Sequence, residues 1–486
     1  MAYRDIRDWL QAVERDGELK RINGAHWDLE MSSIAEIIYR ECKAPIPALL
    51  FDDIPECPRG YQALFGILSS PRRTAMSLYL PLSPDMTPLD VVRAWRTKER
   101  EVKPIPPKLV GSGPVQENVF SGSKVDITRF PSPRCHELDG GRYIGTGHAV
   151  ITRDPDNGWI NLGTYRCMLV DKNRMALHML EGQHGKVMLD KYATRKEPMP
   201  VAIAIGIDPT LWFAATQRVA WGVSEYDYAG GVRNEPIEVI KGSYTGLPLP
   251  AAAEIVIEGE CLPGDVVGEG PFGEWHGYYA NLGLEVALEP VIQVKTLLHR
   301  DNPIFACSSP AMPPGVNSLL SAIGRAAMIW EALDKVGIPG IKGVWAPEEG
   351  GSRLINVVSL KQMYAGHSKD AGLIASQSVG SMGKYTVVVD EDIDPADLSQ
   401  VMWAIATRTD PEHSIQILPH CGSSSADPSI PLAVKRTGKP LFSSRAVIDA
   451  CRPWEHKAEW YPIARISAEF RSKLLKKWDS LFKELC

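Results

Sequence analysis

The chain of 486 residues carries 53 basic and 59 acidic side chains, which gives a formal net charge of −6 at pH 7. At roughly 100–200 residues per domain, this length predicts two to four domains. The sequence holds neither the basic stripe of a nucleic-acid binder nor an apolar run long enough to cross a membrane, and it begins without the apolar stretch of a signal peptide. Nine cysteines without a Cys-x-x-Cys pair are typical of free thiols in a reducing compartment. We therefore expect a cytoplasmic enzyme with neither nucleic-acid nor membrane partners.

The first elements are predicted from the spacing of apolar residues. Ile6, Leu10 and Val13 recur at the interval of one helix face. A second helix is predicted over 31–41, and the apolar run 48–51 is typical of a buried strand. Prolines then crowd the stretch 104–114, which predicts a linker or a surface excursion.

From about 118 to 300 the pattern changes to strands bounded by Gly and Pro, most clearly over 160–169, 201–207 and 255–257. Few helices are predicted between them, whereas parallel strands would need helical connections. The pattern therefore favours a mainly antiparallel, barrel-like domain.

Helical periodicity returns over 316–336. An α/β block is predicted to follow, with strands near 354–358 and 386–389 and a helix near 396–406. The Lys-rich tail over 462–486 is predicted to be an amphipathic helix. Two interpretations of this tail stay open, because a terminal helix can pack on its own domain or contact another subunit.

Three polar residues interrupt the barrel-like region: Asn161, His184 and Glu225. An amide oxygen, an imidazole and a carboxylate together suit Mn²⁺ or Mg²⁺, with phosphate or water completing the coordination. Scattered residues of these types are usually solvated or structural, so the three alone do not establish a metal site.

A second set combines Arg166 with Glu269 and Glu274, the first and last residues of a Glu-Gly-Pro-Phe-Gly-Glu loop. An arginine can hold one carboxylate ionised and bind a substrate carboxylate through two hydrogen bonds. The other glutamate, beside Phe272 and Trp275, is suited to donate a proton. A turn with two solvated glutamates is the alternative when the loop is taken alone.

Together the two sets resemble the motifs of the UbiD family of decarboxylases, which use prenylated FMN. That family carries an Asn with an Arg five residues later, a Gln-His pair, a Ser-Glu pair, and a Glu-Gly-Pro-Phe-Gly-Glu/Asp stretch followed by Gly-Tyr. The matching residues here are Asn161, Arg166, Gln183, His184, Ser224, Glu225, the stretch 269–274, Gly277, Tyr278 and the Gly-His-Ser-Lys stretch 366–369. The order and spacing of these matches indicate the family.

The resemblance implies an α+β fold. It contains an N-terminal α/β region, a split β-barrel of flavin-reductase type, a connecting helix, a C-terminal α/β oligomerisation domain and a terminal helix. The expected boundaries are 1–115 for the N-terminal segment, 116–312 for the cofactor-binding and catalytic barrel, 313–336 for the connecting helix, 337–458 for the C-terminal domain and 459–486 for the terminal helix.

The resemblance also implies the ligands of the site. Asn161, His184 and Glu225 would hold Mn²⁺ (or Mg²⁺) against the phosphate of prenylated FMN. Further contacts with the cofactor are implied for Leu162, Thr164, Tyr165, Arg166, Gln183 and Lys369. A K⁺ site is implied for Leu162, Ala214, Ala215, Gln217 and Glu225.

The implied reaction is the reversible, non-oxidative decarboxylation of an aromatic or heteroaromatic acid through a covalent adduct with prenylated FMN. Arg166 and Glu269 would position the carboxylate, and Glu274 would protonate the carbon that loses CO₂. A flavin prenyltransferase would supply the cofactor, and a homodimer or homohexamer is expected. Two other classes of function stay open from the residues alone, namely a Mn²⁺-dependent hydrolase without flavin and a non-catalytic flavin carrier.

The spacing of Asn161 and Arg166 also predicts the shape of the strand that contains them. Their separation is odd, so a regular strand would point them to opposite faces of the sheet. If both reach one cofactor, the strand over 160–169 must be broken, and Gly163 is the expected place.

Ala426 gives an expectation for the substrate. Many members of the family carry Leu-Asp-Pro after the final core strand, with the Leu lining the pocket, and the corresponding stretch here begins at Ala426. The smaller side chain predicts room for a fused-ring acid of naphthoate or phenazine-carboxylate size. Single-ring hydroxybenzoates and acrylic acids such as cinnamates are the alternatives. No Arg or Lys occurs in 420–430, which disfavours a dicarboxylic acid.

Overall fold

The computed structural model of the chain describes residues 3–42, 46–145, 147–378, 380 and 382–485, without the side chains of 483–485. Its N-terminal part is a small sheet covered by helices. The helices are α1 (Ile6–Arg15), α2 (Glu30–Glu41), α3 (Pro71–Ser77) and α4 (Pro88–Glu99), and the strands are β1 (Leu19–Asn23), β2 (Ala48–Asp52) and β3 (Gln62–Phe65). β1 and β2 are parallel, and β2 pairs antiparallel with β3. The helices predicted from Ile6 and over 31–41, and the strand over 48–51, are confirmed.

The central part is built on a long curled sheet. Its strands and helices are β4 (Lys108–Leu109), β5 (Asn118–Ser121), β6 (Tyr143–Gly145), β7 (His148–Arg153), β8 (Ile160–Gly163), β9 (Cys167–Leu169), β10 (Arg174–Leu177), α5 (His184–Arg195), β11 (Met199–Ile205), α6 (Pro209–Thr216), α7 (Glu225–Arg233), β12 (Glu238–Lys241), β13 (Pro248–Pro250), β14 (Ile255–Glu269), β15 (Ala287–His299) and β16 (Ile304–Cys307). Over the described residues, nine of these strands form a half-barrel in the order β6-β9-β10-β15-β14-β11-β7-β8, with β5 beside β15. β16 instead joins β3 in the N-terminal sheet, and β13, β12 and β4 form a third small sheet.

The antiparallel pairing predicted for this part is confirmed, because the neighbouring strands of the half-barrel run antiparallel. The sequence pattern underestimated its helices, since α5, α6 and α7 all lie within it. α6 is buried along almost its whole length, so its sequence shows no alternation of polar and apolar faces. α7 contains two adjacent glycines, which are poor helix formers.

A long helix joins the half-barrel to the C-terminal part. The elements are α8 (Ser318–Lys335), β17 (Ile341–Trp345), β18 (Ile355–Leu360), α9 (His367–Gln377), β19 (Tyr385–Asp390), α10 (Leu398–Arg408), α11 (Pro411–Ser414), β20 (Ile415–Gly422), α12 (Leu432–Lys435), β21 (Phe442–Ala450), α13 (Ala468–Lys477) and α14 (Asp479–Leu485). The five-stranded sheet has the order β17-β18-β19-β21-β20, with a parallel centre and antiparallel edges. The helix over 316–336 and the α/β block predicted after it are confirmed.

The single tail helix predicted over 462–486 is wrong in detail. The helix is interrupted at Trp478, whose backbone leaves the helical region with φ −117° and ψ 31°, and α13 and α14 lie on either side of it. Cys486 lies outside the described residues. Apolar side chains of the tail face solvent, with Phe470 and Trp478 each 50% exposed. The described residues of the tail therefore do not pack on their own domain, and contact with another subunit stays a prediction.

One apolar core connects the N-terminal sheet, the half-barrel, α8 and one face of the C-terminal sheet. A second core covers the other face of that sheet and includes Val387, Val389 and Val401. Helices of the described part of the chain are all too short or too polar to cross a membrane.

Candidate active site

The strand predicted over 160–169 is broken as expected. β8 ends at Gly163 and β9 begins at Cys167, so residues 164–166 leave the sheet. The break removes the alternation that would otherwise place Asn161 and Arg166 on opposite faces. One short segment of chain therefore supplies both side chains.

Tyr165 ties this break to the start of α5. A Cβ added at Gly163 would come within 2.4 Å of the Tyr165 ring, and one at Gly185 within 2.6 Å, so both positions require the absence of a side chain. The Tyr165 hydroxyl accepts hydrogen bonds from Asn161 Nδ2 at 3.2 Å and from the Gly185 N–H at 3.0 Å. Asn161 is thereby held near the first turn of α5, which begins at His184.

The other two residues of the predicted metal site stand at the first positions of helices that pack on β8. His184 packs against two indole rings, with centroid distances of 5.2 Å to Trp159 and 5.1 Å to Trp221. Glu225 begins α7, and its Oε2 accepts the N–H of Leu162 at 2.7 Å. Asn161, His184 and Glu225 are thus gathered around β8, from the strand itself and from two helices that contact it.

Glu225 provides the test of whether a cation fits. The side chain is buried, and no lysine or arginine pairs with it among the described residues. Burial raises its pKa to about 7, because the carboxylate lacks a compensating charge. An amide, an imidazole and an uncompensated carboxylate form a donor set that suits Mn²⁺ or Mg²⁺.

The remaining predicted cofactor and K⁺ residues are placed less uniformly. Leu162 is buried on β8, and α6, which carries Ala214 and Ala215, packs against the same strand. The carbonyl of Ala214 accepts the N–H of Gln217 at 3.0 Å. Thr164 is half-buried in the break.

Gln183 and Lys369 differ in their surroundings. Gln183 stands at the N-cap position of α5 without a capping hydrogen bond from its side chain, and its Oε1 accepts the N–H of Leu180 at 2.7 Å, which fixes the loop that leads to His184. Lys369 is exposed on α9, a helix that packs on the C-terminal sheet and α8. The described contacts do not bring Lys369 to Asn161 or His184.

Arg166 lies between the two predicted carboxylates. Its Nε and Nη2 donate to the two oxygens of Glu269 at 2.9 and 2.8 Å, and its Nη1 donates to Glu274 Oε1 at 2.7 Å. Tyr143 donates its hydroxyl to Glu269 Oε1 at 2.9 Å, and Asn281 Nδ2 donates to Glu274 Oε1 at 2.7 Å. Arg166, Glu269 and Glu274 are all buried, with 8%, 1% and 8% of their surfaces exposed.

An apolar wall covers this charged group. The Arg166 guanidinium lies 4.6 Å from the centroid of the Phe272 ring, which packs on Tyr143 in a small core with Met168. Burial lowers the pKa of Arg166, but the charges of Glu274 and Glu269 outweigh burial and raise it above the ordinary value. Arg166 therefore stays positively charged.

The loop that carries Glu274 is held by a turn from a distant part of the sequence. Asp139 Oδ1 accepts the N–H of Gly273 at 3.1 Å and the hydroxyl of Tyr279 at 3.0 Å. The N–H of Gly140 donates to the carbonyl of Pro271 at 2.8 Å. The position of Glu274 thus depends on Asp139, a buried residue that precedes β6.

Sequence reasoning missed several of these partners. Tyr143, Asn281 and Asp139 carried no recognisable spacing relative to the motifs. It also missed His178, which contacts Glu289 at 2.7 Å and offers a ring nitrogen within 4.8 Å of a Glu269 oxygen. The alternation of side chains along β10 could have indicated that His178 faces inward, but no sequence pattern indicates that His178 pairs with Glu289.

Ala426 is buried in the loop that follows β20. The backbone of Ala426 and the charge of Glu274 both act on the His276 imidazole, so this loop lies beside the loop of Glu274. The stretch 420–430 itself contains no Arg or Lys, but the fold brings lysines from other segments close to it, so the expectation of no nearby cation is wrong. Lys384 pairs with Asp427 at 2.6 Å, and Lys435 experiences the charges of Asp427 and Glu274.

Comparisons with known proteins identify the family to which this chain belongs. Family profiles of 3-octaprenyl-4-hydroxybenzoate carboxy-lyase match residues 10–94 with its N-terminal domain, 108–313 with its Rift-related domain and 318–450 with its C-terminal domain. The chain therefore belongs to the UbiD family, and the resemblance inferred from the motifs is confirmed.

Individual relatives agree with this membership. Pyrrole-2-carboxylic acid decarboxylase of Pseudomonas aeruginosa is 33% identical over 423 residues, which cover 84% of each chain. The UbiD-class enzyme HmfF from Pelotomaculum thermopropionicum, solved in complex with FMN, matches with a TM-score of 0.83 and 28% identity over 95% of this chain and 97% of that one. An evolved dimeric form of HmfF in complex with prFMN gives a TM-score of 0.80 and 27% identity over 96% and 98%. The mixed α+β fold of the chain is thus that of UbiD-class enzymes.

Proposed function

We propose that this protein catalyses the reversible, non-oxidative decarboxylation of an aromatic or heteroaromatic carboxylic acid with prenylated FMN as its cofactor. The observation that carries the proposal is the buried group in which Arg166 joins Glu269 and Glu274. The relative that decarboxylates pyrrole-2-carboxylic acid and the UbiD-class structures with FMN and prFMN support it.

Arg166 and Glu269 orient the substrate in this proposal. Two of the three nitrogen atoms of the guanidinium donate to Glu269, which fixes the plane of the guanidinium, and the third donates to Glu274. A substrate carboxylate that enters the site can take over this third donor, Nη1, without disturbing the other two. We assign Nη1 to the carboxylate that leaves as CO₂.

Glu274 holds and delivers the proton. Its Oε1 accepts from Arg166 and Asn281, whereas Oε2 has no donor among the described residues. When the substrate takes over Nη1, Glu274 keeps the hydrogen bond from Asn281 to Oε1, and Oε2 is left free to act as the general acid. The proton on Oε2 passes to the carbon that has lost CO₂, and the resulting carboxylate pairs with Arg166 again.

The cofactor end of the site fits the group that the family uses. Asn161, His184 and Glu225 would hold a divalent cation against its phosphate, since Glu225 is a buried carboxylate without a cationic partner. Prenylated FMN, when bound, accepts the electron pair that CO₂ leaves behind. Contacts from Leu162, Thr164, Tyr165 and Gln183, and a K⁺ site with Ala214, Ala215 and Gln217, remain part of the proposal; for Lys369 the described contacts offer no support.

The same proposal covers the organisation of the chain. We propose a catalytic region over 116–312, preceded by an N-terminal segment and followed by α8 and a C-terminal domain over 337–458 that mediates assembly. A homodimer or homohexamer is expected, which the exposed tail supports. A flavin prenyltransferase would supply the cofactor.

The experiment compares protein produced with and without a co-expressed flavin prenyltransferase. Release of CO₂, and exchange of ring hydrogen for deuterium, are measured with pyrrole-2-carboxylate, a hydroxybenzoate, cinnamate, a naphthoate and a phenazine-carboxylate. We expect turnover of at least one aromatic acid only with the matured cofactor, and folded but inactive protein without it. Activity of flavin-free protein with Mn²⁺ alone, or cofactor binding without turnover or exchange of any acid, would contradict the proposal.

A further inference from the structure

His178 and Glu289 form a polar pair beside the charged group of the active site. His178 directly follows β10, and Glu289 lies on β15, the strand that pairs with β10. Nδ1 of His178 lies 2.7 Å from Oε1 of Glu289. The two side chains keep 16% and 15% of their surfaces exposed, so solvent can exchange protons with the pair. The proposed reaction uses neither residue.

Strand pairing turns this pair towards Glu269. Glu289 stands opposite Val267 of β14, and Glu269 follows Val267 by two positions. Opposite residues of an antiparallel pair share a face of the sheet, and so do residues two apart in one strand, so both carboxylates lie on the same side. A ring nitrogen of His178 and one oxygen of each carboxylate all lie within 4.8 Å of one another. The pair therefore adjoins the carboxylate that orients Arg166.

The charges around His178 are unequal. Glu289 and Glu269 lie next to the imidazole, and Glu269 shares the guanidinium of Arg166 with Glu274. Among the described residues, no lysine or arginine pairs with Glu289. With a neutral imidazole, three ionised carboxylates stand against one guanidinium. With an imidazolium, the excess of negative charge falls from two to one.

The other polar groups beside the pair are neutral. The N–H of His178 donates to the carbonyl of Arg166 at 3.0 Å, which holds the residue against the break after β8. Burial raises the pKa of Tyr143, which donates its hydroxyl to Glu269, and burial also raises the pKa of the Cys167 thiol. Histidine is the side chain that changes charge between about pH 5 and 8. His178 therefore supplies a charge that can change near neutral pH.

The added proton has a defined place on the imidazole. An ionised carboxylate only accepts hydrogen bonds, so the neutral ring of His178 carries its proton on Nδ1, towards Glu289. Nε2 is left with a lone pair. A proton taken from solvent forms an N–H bond at Nε2 and completes the imidazolium, and no other bond forms or breaks.

We propose that His178, held by Glu289, takes up a proton from solvent when an aromatic acid binds as its anion, and so compensates the charge that the acid brings to Arg166. His178 is a positioning residue, since it acts on the substrate through Glu269 and Arg166. The proposal rests on the proposed decarboxylase function and adds a dependence of substrate affinity on pH. The imidazolium favours the anion, so affinity is full at low pH and falls as rising pH removes the proton.

The test is calorimetry of acid binding to the full chain loaded with FMN, which is used in place of prenylated FMN so that no decarboxylation follows binding. Titrations of pyrrole-2-carboxylate in buffers with different enthalpies of ionisation give the number of protons taken up per acid bound. We expect uptake of up to about one proton near pH 7.5, and a Kd that rises by up to about tenfold per pH unit between about pH 7 and 9. The neutral pyrrole-2-carboxamide should take up no proton.

Two substitutions of His178 separate its charge from a structural role. His178→Asn removes the titratable ring, so we expect weak binding at every pH and no proton uptake. His178→Arg carries a permanent positive charge, so we expect tight binding at every pH, again without uptake. A structural role alone would weaken binding in both variants. Glu289→Gln removes the negative partner of the imidazolium and should shift the fall in affinity to lower pH.

His413→Asn is the matched control. Nδ1 of His413 lies 2.6 Å from Oδ2 of Asp410, a histidine–carboxylate pair of the same kind at the surface of the C-terminal part. This variant should keep the proton uptake and the affinity of the unmodified protein. Circular dichroism establishes that each variant folds, and Glu289→Gln carries the test if His178→Asn does not.

Four results would overturn the proposal. They are the absence of proton uptake in the unmodified protein, equal uptake in His178→Asn, uptake that is lost in Glu274→Gln but kept in His178→Asn, and a metal ion that elemental analysis finds in the unmodified protein but not in His178→Asn. The third result assigns the proton to Glu274, and the fourth assigns His178, Glu269 and Glu289 to a cation.

The outcome for the proposed function is separate. If pyrrole-2-carboxylate does not bind, the same titrations are made with the other acids named for the decarboxylation assay, and the absence of binding by all of them overturns both proposals. If proton uptake depends on His178 but no acid is decarboxylated or exchanged by protein with the matured cofactor, the role of His178 stands and the proposed reaction is wrong.

Discussion

At the scale of single residues, the site depends on an unequal number of charges. Two carboxylates, Glu269 and Glu274, surround the single guanidinium of Arg166, so the buried group carries an excess of negative charge. Glu269 is held by three hydrogen bonds from Arg166 and Tyr143, which leaves Glu274 as the carboxylate with a free oxygen.

We expect Glu274→Gln to retain cofactor and metal but to lose turnover, because an amide can keep the hydrogen bond from Arg166 yet cannot deliver a proton. Loss of a general acid typically reduces the rate by about 10²- to 10⁴-fold. Initial rates of CO₂ release, with flavin absorbance and metal content as controls, check this. Glu101→Gln, at an exposed carboxylate, should behave as the unmodified protein, and near-normal decarboxylation by Glu274→Gln would remove Glu274 from its role.

Ala426 bears on the size of the substrate. A leucine at this buried position would add three carbons to the proposed substrate pocket, and each buried methylene group is worth about 0.8 kcal/mol when space exists for it. We expect Ala426→Leu to reduce kcat/KM for naphthoate-sized acids more than for single-ring acids. Parallel kinetics on small and large acids check this, and an unchanged size preference would show that the side chain does not limit the pocket.

At the scale of elements, the Glu274 loop and the turn at 139–140 act as one unit. Asp139 accepts hydrogen bonds from the loop at Gly273 and Tyr279, and Gly140 donates to the loop at Pro271. The side chain of Asp139 is buried, so its loss would leave donors of the loop unpaired. The loop would then hold Glu274 less accurately.

We expect Asp139→Ala to lower kcat by about 10- to 100-fold with a smaller change in KM, since small displacements of a catalytic group are costly. The dependence of kcat on pH should keep the same shape as in the unmodified protein, because the proton donor is still present. Steady-state kinetics of Asp139→Ala are compared with those of Asp85→Ala, a control at an exposed loop position. Equal kcat values for the two variants would mean that the turn does not position Glu274.

The elements also show what a sequence can and cannot predict here. The break between Asn161 and Arg166 is local, since it follows from the period of two in a strand, and it was predicted to lie at Gly163. The contacts of Asp139 and Asn281 with the Glu274 loop arise only when separate segments meet, and no spacing in the chain encodes them.

At the scale of the whole molecule, the tail lacks partners of its own. Phe470 and Trp478 are each half exposed, and Ile466 is 54% exposed. Apolar surface of this kind is stabilised by contact with another surface at roughly 25 cal/mol per Å². A second copy of this chain is the partner that the proposed homo-oligomer supplies.

We expect removal of 462–486 to lower the oligomeric state measured by light scattering after size-exclusion chromatography. A double substitution, Phe470→Glu with Trp478→Glu, should have the same effect because it places charge on the contact surface. Leu82→Glu, at an exposed apolar residue outside the tail, is the control. If truncated and full-length chains elute as the same oligomer, the tail does not contribute to assembly.

The break after Gly163 places Asn161, which is proposed to hold the cation, and Arg166, which is proposed to hold the acid, on one short stretch of backbone. Ala426, which is proposed to set the size of the acid, belongs to the loop after β20, far along the chain from this stretch. Substitutions in that loop can therefore change which acid is accepted while the chemistry stays intact. After a gene duplication, single substitutions in one copy could shift its preference to a new acid, and each variant along the way could stay active.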